Sequence, residues 1–195
     1  MKVRALILAG GRGSRLGDVR KGDLRIGGRR LLARVRARLG DLPVLVSSGP
    51  GPAMDDDGIT DITDGFGGPM AGIWAALHHL RARGGADDVL LTVAVDTPFL
   101  PWDFAERMTG ALAEGADAAL AAWAGRIYPT NAAYRLAALW PLLSGPAPDS
   151  PKRLLRQLGA VDVDWSGAEP DDPFANLNTL EDLITLGRRA KARGE

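Results

Sequence analysis

The chain has 195 residues, enough for an α/β domain with a full core, and its 46% hydrophobic and 25% charged content excludes an intrinsically disordered protein. Twenty-four basic residues balance 24 acidic ones, which argues against a dedicated nucleic-acid binder but leaves room for a local basic pocket. The absence of cysteine rules out disulfides, thiolate zinc sites and cysteine nucleophiles. With no signal peptide ahead of the first strand and no apolar run long enough to cross a bilayer, the expectation is a cytoplasmic protein that meets neither membrane nor nucleic acid.

In chain order, Val3 to Ala9 is a short apolar run ending in glycines, the pattern of a strand buried on both faces. A Gly/Arg-rich stretch follows from Gly10 to Arg30. Leu31, Leu32, Val35 and Leu39 then recur at helical spacing, with Gly40 as the stop. Val44 to Val46 reads as a second strand and a short third strand lies near Ile59. Met70, Ile73, Trp74, Leu77 and Leu80 mark one face of a helix, and Val89 to Val95 is the clearest buried strand, stopping at Asp96. Strands thus alternate with helices, which predicts a Rossmann-like three-layer α/β sandwich whose mostly parallel sheet binds its ligand beyond the carboxyl ends of the strands.

The second half is less regular. It offers a helix through Phe104, Met108 and Leu112, strands over Ala118–Ala122 and Ile127–Ala133, and a helix at Leu136 and Leu139. A short helix KRLLRQLG, a strand VDVDW and a last helix follow, the last opened by a capping box from Thr179 to Asp182. The basic tail RRAKARG continues that helix and suits its C-terminal dipole. We read residues 1–195 as a single domain, with the N-terminal half holding one substrate and the C-terminal half forming the acceptor side of a cleft.

Two segments carry chemistry. In LAGGRGSRLG, glycines let the backbone approach a phosphate and turn N–H groups toward it, while Arg12, Arg15 and Lys21 add positive charge. The Walker pattern does not fit, because Lys21 precedes Gly22. Nor does the dinucleotide fingerprint: Gly11, Gly13 and Gly17 are spaced one residue too wide, and Ser47 and Ser48 stand where an acid is required. The second segment is Asp96-Thr97-Pro98 at the tip of the buried strand. A strand-tip carboxylate faces the ligand crevice and suits magnesium, which takes few protein carboxylates beside phosphate oxygens and water. Asp61 and Asp64 offer a second ligand or a substrate contact. His78 and His79 are adjacent on a helix, point about 100° apart and cannot share a metal. The five tryptophans are expected in helices and loops, without the basic interleaving of a single-strand binder.

Together LAGGRGSRLG with Lys21, GGPMAG, VDTPFLP, YPTNAAYR and NLNTLEDL, in this order from residue 6 to about 187, resemble the molybdenum cofactor guanylyltransferases. The resemblance implies transfer of GMP from GTP to molybdopterin, with pyrophosphate released and Mg2+ as cofactor. It implies that Leu8, Ala9, Gly10 and Gly11 read the guanine and approach the phosphates, with Gly13 in the same loop and Gly68 at the turn before the next helix. The same resemblance implies that Arg15 and Lys21 hold the triphosphate and that Asp96 carries the metal, and Pro129, Asn131, Asn176 and Asn178 match its acceptor side. The aspartate before the GPMAG turn is Asp61 or Asp64, with Asp61 preferred. Ser47, Ser48 and Gly49 depart from the family, which often has Asn after the second strand. Transient contact with molybdopterin-delivering and molybdoenzyme-maturation proteins is a further expectation. A cytidylyl- or sugar/polyol-phosphate nucleotidyltransferase and a catalytically silent nucleotide-binding module are the competing readings.

Overall fold

A computed structural model describes residues 1–10, 19–49, 58–61, 67–81, 85–145 and 148–195, together with the backbone of 12 and 13. Its centre is a seven-stranded sheet made from β1 (Val3–Leu8), β6 (Val44–Ser47), β7 (Gly58–Ile59), β8 (Val89–Ala94), β9 (Ala118–Trp123), β10 (Arg126–Arg135) and β11 (Val161–Asp164). The spatial order is β11-β9-β10-β8-β1-β6-β7. All neighbours pair parallel except β10, which runs against both β8 and β9.

Helices cover both faces, as the alternating pattern requires. On one side α1 (Leu31–Arg38), α3 (Phe104–Ala113) and α6 (Leu180–Ala192) pack over Ala5, Ile7, Leu91 and Val93. On the other, α2 (Pro69–Arg81), the short α4 (Leu136–Leu139) and α5 (Pro151–Gln157) pack over Leu6, Leu8 and Leu90. Alternate residues of β1 therefore feed opposite cores, the two-residue period of a strand buried on both sides. The capping box of α6 is present in full: Thr179 Oγ1 accepts the Asp182 N–H and Asp182 Oδ2 accepts the Thr179 N–H.

The Gly10–Arg30 stretch has structure that its composition did not announce. Two small hairpins occupy it, β2 (Arg12–Gly13) with β3 (Val19–Arg20) and β4 (Arg25–Ile26) with β5 (Arg29–Arg30), separated by one turn of 3-10 helix at Lys21–Asp23. The second hairpin turns on Gly27 and Gly28 with φ of 57° and 79°, the left-handed pair that a two-residue hairpin loop needs. On α2, His78 is exposed and His79 half-buried. One tryptophan departs from expectation, because Trp123 ends β9.

Candidate active site

The carboxyl ends of β1, β6 and β8 are locked side by side. The Ala9 N–H donates to the Ser47 carbonyl at 2.8 Å and the Val95 N–H to the Leu8 carbonyl at 3.2 Å. Asp96 follows in a turn held by Thr97, whose Oγ1 donates to the Ala94 carbonyl at 2.7 Å. Beneath this turn Phe99 is buried among the guanidinium groups of Arg189 at 4.5 Å and Arg193 at 5.4 Å, so the loop bearing Asp96 is anchored on α6.

Lys21 brings the two halves of the chain together. Its Nζ donates at 2.6 Å to Asp96 Oδ2 and at 2.6 Å to Asn178 Oδ1. Both charged side chains keep a window to solvent, Lys21 at 18% and Asp96 at 14% exposure, so a substrate can reach them. The segment carrying Asn178 is fixed at two points: the Leu177 N–H donates to the Asp96 carbonyl at 2.9 Å, and the Asn178 N–H donates to Asp182 Oδ2 at 2.9 Å. Behind it Phe174, Trp165, Phe104 and Tyr128 stack in one aromatic cluster, which ties the approach to this segment into the core.

The other end of the site is built around Asp61. Its Oδ1 accepts from Ser47 Oγ at 2.5 Å, and its Oδ2 lies 3.4 Å from where a side chain on Gly10 would begin. The backbone of Gly49 is only 3.0 Å from that same point, so the Gly10 turn closes tightly against the loop after β6. The first turn of α2 packs here as well. A β-carbon on Gly72 would fall 2.3 Å from Ser47 Oγ, which no side chain at residue 72 can accommodate without a shift. Gly68, with φ of 58°, and Pro69 start this helix, and its N-terminal end brings partial positive charge to the cleft.

Of the residues selected from sequence, Leu8, Ala9, Gly10, Asp61 and Gly68 therefore gather at one end of this crevice, and Lys21, Asp96 and Asn178 meet at its centre. Gly13 lies on β2, while Gly11, Arg15 and Asp64 fall outside the described residues. Asn176 is exposed on the docked segment and Pro129 is half-buried on β10. Asn131 is placed differently from expectation. It is 1% exposed, and its Oδ1 accepts the Ala94 N–H at 2.9 Å where the register of β10 shifts between Tyr128 and Ala132. The bulge would leave that strand donor without a ladder partner, and Asn131 supplies one from inside the sheet instead of from the acceptor wall. In the sequence Ser47 stands out only as a departure from a motif. Its role as the buried hydroxyl holding Asp61 emerges from spatial contacts, although a glycine inside the α2 pattern is a signal of close approach there.

Residues 5–162 match the model of the MobA-like NTP transferase domain. The chain belongs to the MobA-like NTP transferase family. Among its relatives, the molybdenum cofactor guanylyltransferase of Rhodobacter capsulatus is 36% identical over 197 residues, covering 98% of this chain and 98% of that protein. The protein of the same name from Rhizobium meliloti (strain 1021) is 37% identical over 199 residues, covering 92% and 88%. The fold of the family recurs in the crystal structure of molybdopterin-guanine dinucleotide biosynthesis protein A from Archaeoglobus fulgidus, with a TM-score of 0.71, 23% identity and coverage of 98% and 100%. It recurs also in 2-C-methyl-D-erythritol 4-phosphate cytidylyltransferase from Thermus thermophilus, with a TM-score of 0.65, 21% identity and coverage of 98% and 100%. As a member of the MobA-like NTP transferase family, the chain is a nucleotidyltransferase. Among the described residues no helix is long and apolar enough to cross a membrane.

Proposed function

We propose that this protein transfers GMP from GTP to molybdopterin in the cytoplasm, forming the guanine dinucleotide cofactor and pyrophosphate. The observation that carries this reading is Lys21 Nζ between Asp96 on the nucleotide half and Asn178 on the acceptor half, in a chain whose relatives are named for that reaction. The acceptor's phosphate oxygen attacks the α-phosphorus of GTP, and the bond from that phosphorus to the bridging oxygen of the β-phosphate breaks, releasing pyrophosphate.

Little covalent work falls to the protein, so positioning and charge neutralisation supply the rate. Lys21 places a positive charge beside the reacting phosphates, and its bonds to Asp96 and Asn178 hold the ammonium in position before the triphosphate arrives. The Gly10 turn and the first turn of α2 present backbone and dipole to the phosphates. Asp61, fixed through one oxygen by Ser47, keeps its other oxygen beside Gly10, where a carboxylate suits the N–H edge of a guanine.

The donor set fits magnesium. The Lys21 bond uses Oδ2 of Asp96, a carboxylate has a second oxygen to offer, and this ion takes its remaining ligands from phosphates and water. Asp96 would hold the ion, which neutralises phosphate charge when bound. Proteins that deliver molybdopterin or mature molybdoenzymes are the partners such a reaction calls for.

The test is a calorimetric titration with GTP, CTP, ATP and UTP, each with magnesium, followed by an assay for GMP transfer to molybdopterin. Selective GTP binding with product formation is expected. A preference for CTP would move the assignment to cytidylyl transfer, and absence of any nucleotide binding would make the chain a silent relative.

A further inference from the structure

Arg34 is a charge on the wrong face of its helix. It follows Leu31 by three positions on α1, so it shares the face that packs on the sheet, and its side chain is only 3% exposed. A buried charge needs partners, and this one has three of different kinds. Its Nε donates to the Ile26 carbonyl at 2.9 Å and its Nη1 to Glu195 Oε2 at 2.8 Å, while its Cζ lies over the Phe99 ring, 6.0 Å from the centroid. Glu195 is shared with Arg38, also buried, whose Nη2 donates to Oε1 at 2.6 Å. The remaining nitrogen, Nη2, makes no hydrogen bond among the described residues and is covered by Gly27. A β-carbon on Gly27 would lie 2.8 Å from it and overlap the Glu195 carbonyl, so the hairpin turn closes on the guanidinium through its missing side chain.

Each partner of Arg34 leads to one residue of the Lys21 centre. Ile26 and Gly27 belong to the hairpin that follows Lys21. The Leu24 N–H donates to the Lys21 carbonyl at 3.1 Å and the Leu31 N–H to the Leu24 carbonyl at 2.8 Å, which binds the turn bearing Lys21 to the start of α1. Phe99 lies in the loop that follows Asp96. Glu195 stands just beyond α6, the helix whose capped start adjoins Asn178, and the same helix holds the approach to Asn178 through Arg189, which donates to the Asp172 carbonyl at 2.6 Å. A planar guanidinium bonds in two directions within its plane while its face covers a ring, which an ammonium cannot do.

We infer that Arg34 is a positioning residue for the transfer reaction: it fixes the segments of Lys21, Asp96 and Asn178 against one another from behind, with Glu195 as its counter-charge. This rests on the reading of those three residues as the transfer centre. Arg34 touches no substrate, and its effect is carried by the hairpin, the Phe99 loop and α6.

The test is Arg34→Lys in the full chain, which keeps the charge and loses the fork. In the proposed reaction GTP rests on Gly10, Asp61 and the start of α2, so kcat should fall by about 10- to 100-fold with the KM for GTP within about twofold of wild type. Added to K21M, R34K should cost less than about threefold, since the placement of Lys21 can be lost only once. In hydrogen exchange, the Leu177 N–H that bonds the Asp96 carbonyl should exchange about tenfold faster, beyond any change at Leu91, which reports global unfolding. A kcat loss of equal size with and without Lys21, or a Leu177 rate that moves only as Leu91 does, overturns the proposal, because plain destabilisation gives both. Should R34K fail to fold, E195Q removes only the counter-charge and is read in the same three ways; a smaller loss is expected, and wild-type values overturn the proposal. No GMP transfer by the wild type, together with a Leu177 response to R34K, would end the transfer reading and leave Arg34 as the residue that joins the segments. Transfer by the wild type with R34K indistinguishable from it would do the reverse.

Discussion

Lys21 and Asn131 both bear on the strand end that carries Asp96, one in view of solvent and one inside the sheet. Lys21 contributes the charge. In the proposed mechanism, replacing it by Met removes a preorganised cation from the reacting phosphates, so kcat should fall by roughly 10²–10³. The fold should survive, because the lysine head group rests on polar atoms at a solvent window and fills no core. Asp96→Ala should likewise retain the fold, checked by circular dichroism, and lose magnesium-dependent turnover; equal turnover would remove Asp96 from the mechanism. Asn131 works through the backbone. Asn131→Leu leaves the Ala94 N–H buried without its acceptor, which costs about 1–3 kcal/mol. The expected signature is a lower urea midpoint at constant slope, together with reduced kcat, since Asp96 projects from the strand end that Asn131 holds. A midpoint equal to wild type would mean that the strand end needs no such anchor. None of these three partnerships is local in sequence: Lys21 is 75 positions from Asp96 and 157 from Asn178, and Asn131 is 37 from Ala94.

Among the elements, what was legible depended on how much of each element's identity its own residues carry. β1 and β8 are buried on both faces, so their apolar runs declared them, and α2 and α6 declared themselves by an apolar face and by a capping box. The direction of β10 was not legible, because a strand's local pattern is the same whether its neighbours run with it or against it. The hairpins after Gly10 have strands of two residues, too short to show a period, although Gly27-Gly28 was a usable turn signal. In the site, the strand-tip Asp96 was legible from topology, whereas the bulge that buries Asn131 depends on register between distant strands. Two helix glycines test this reading of elements. Gly72 lets α2 dock on Ser47, so Gly72→Ala should destabilise by roughly 1–3 kcal/mol through overpacking and weaken GTP binding by displacing Ser47 from Asp61. Gly110 sits in α3 with open space where a methyl would go, so Gly110→Ala should stabilise by about 0.4–1 kcal/mol without touching the site. Thermal melts of the two variants should move in opposite directions. A stabilised Gly72→Ala would mean that α2 can withdraw from the strand ends at no cost.

Across the whole molecule, the proposed reaction centre and the stability clamp lie at opposite ends of the sheet. Asp88 precedes β8 at the end remote from Asp96. It accepts the Lys2 N–H at 2.7 Å, the Gly85 N–H at 3.0 Å and a bond from Arg4 at 3.1 Å, and its carbonyl accepts the Leu136 N–H. One residue thus joins the start of β1 and the loop before β8 through its carboxylate, and the start of α4 through its carbonyl. The Lys2 and Gly85 N–H groups, helped by Arg4, outweigh burial and lower its pKa to about 2 from an ordinary 3.8. A folded-state pKa below the unfolded value gives stability that is complete above about pH 4 and is lost as pH falls from there toward 2. The size of the shift corresponds to about 2.4 kcal/mol, which solvent screening at this partly accessible carboxylate reduces to on the order of 1–2 kcal/mol. Asp88→Asn should therefore lower stability at neutral pH by about that amount and flatten the dependence of the urea midpoint on pH between about 4 and 2. Its kcat/KM at neutral pH should match wild type, because Asp88 stands at the end of β8 remote from Asp96. If the variant instead kept the wild-type acid dependence, the lost stability would have to come from other carboxylates. If it lost activity while still folded, the two ends of the sheet would be coupled, and β8 would be transmitting strain from Asp88 to Asp96.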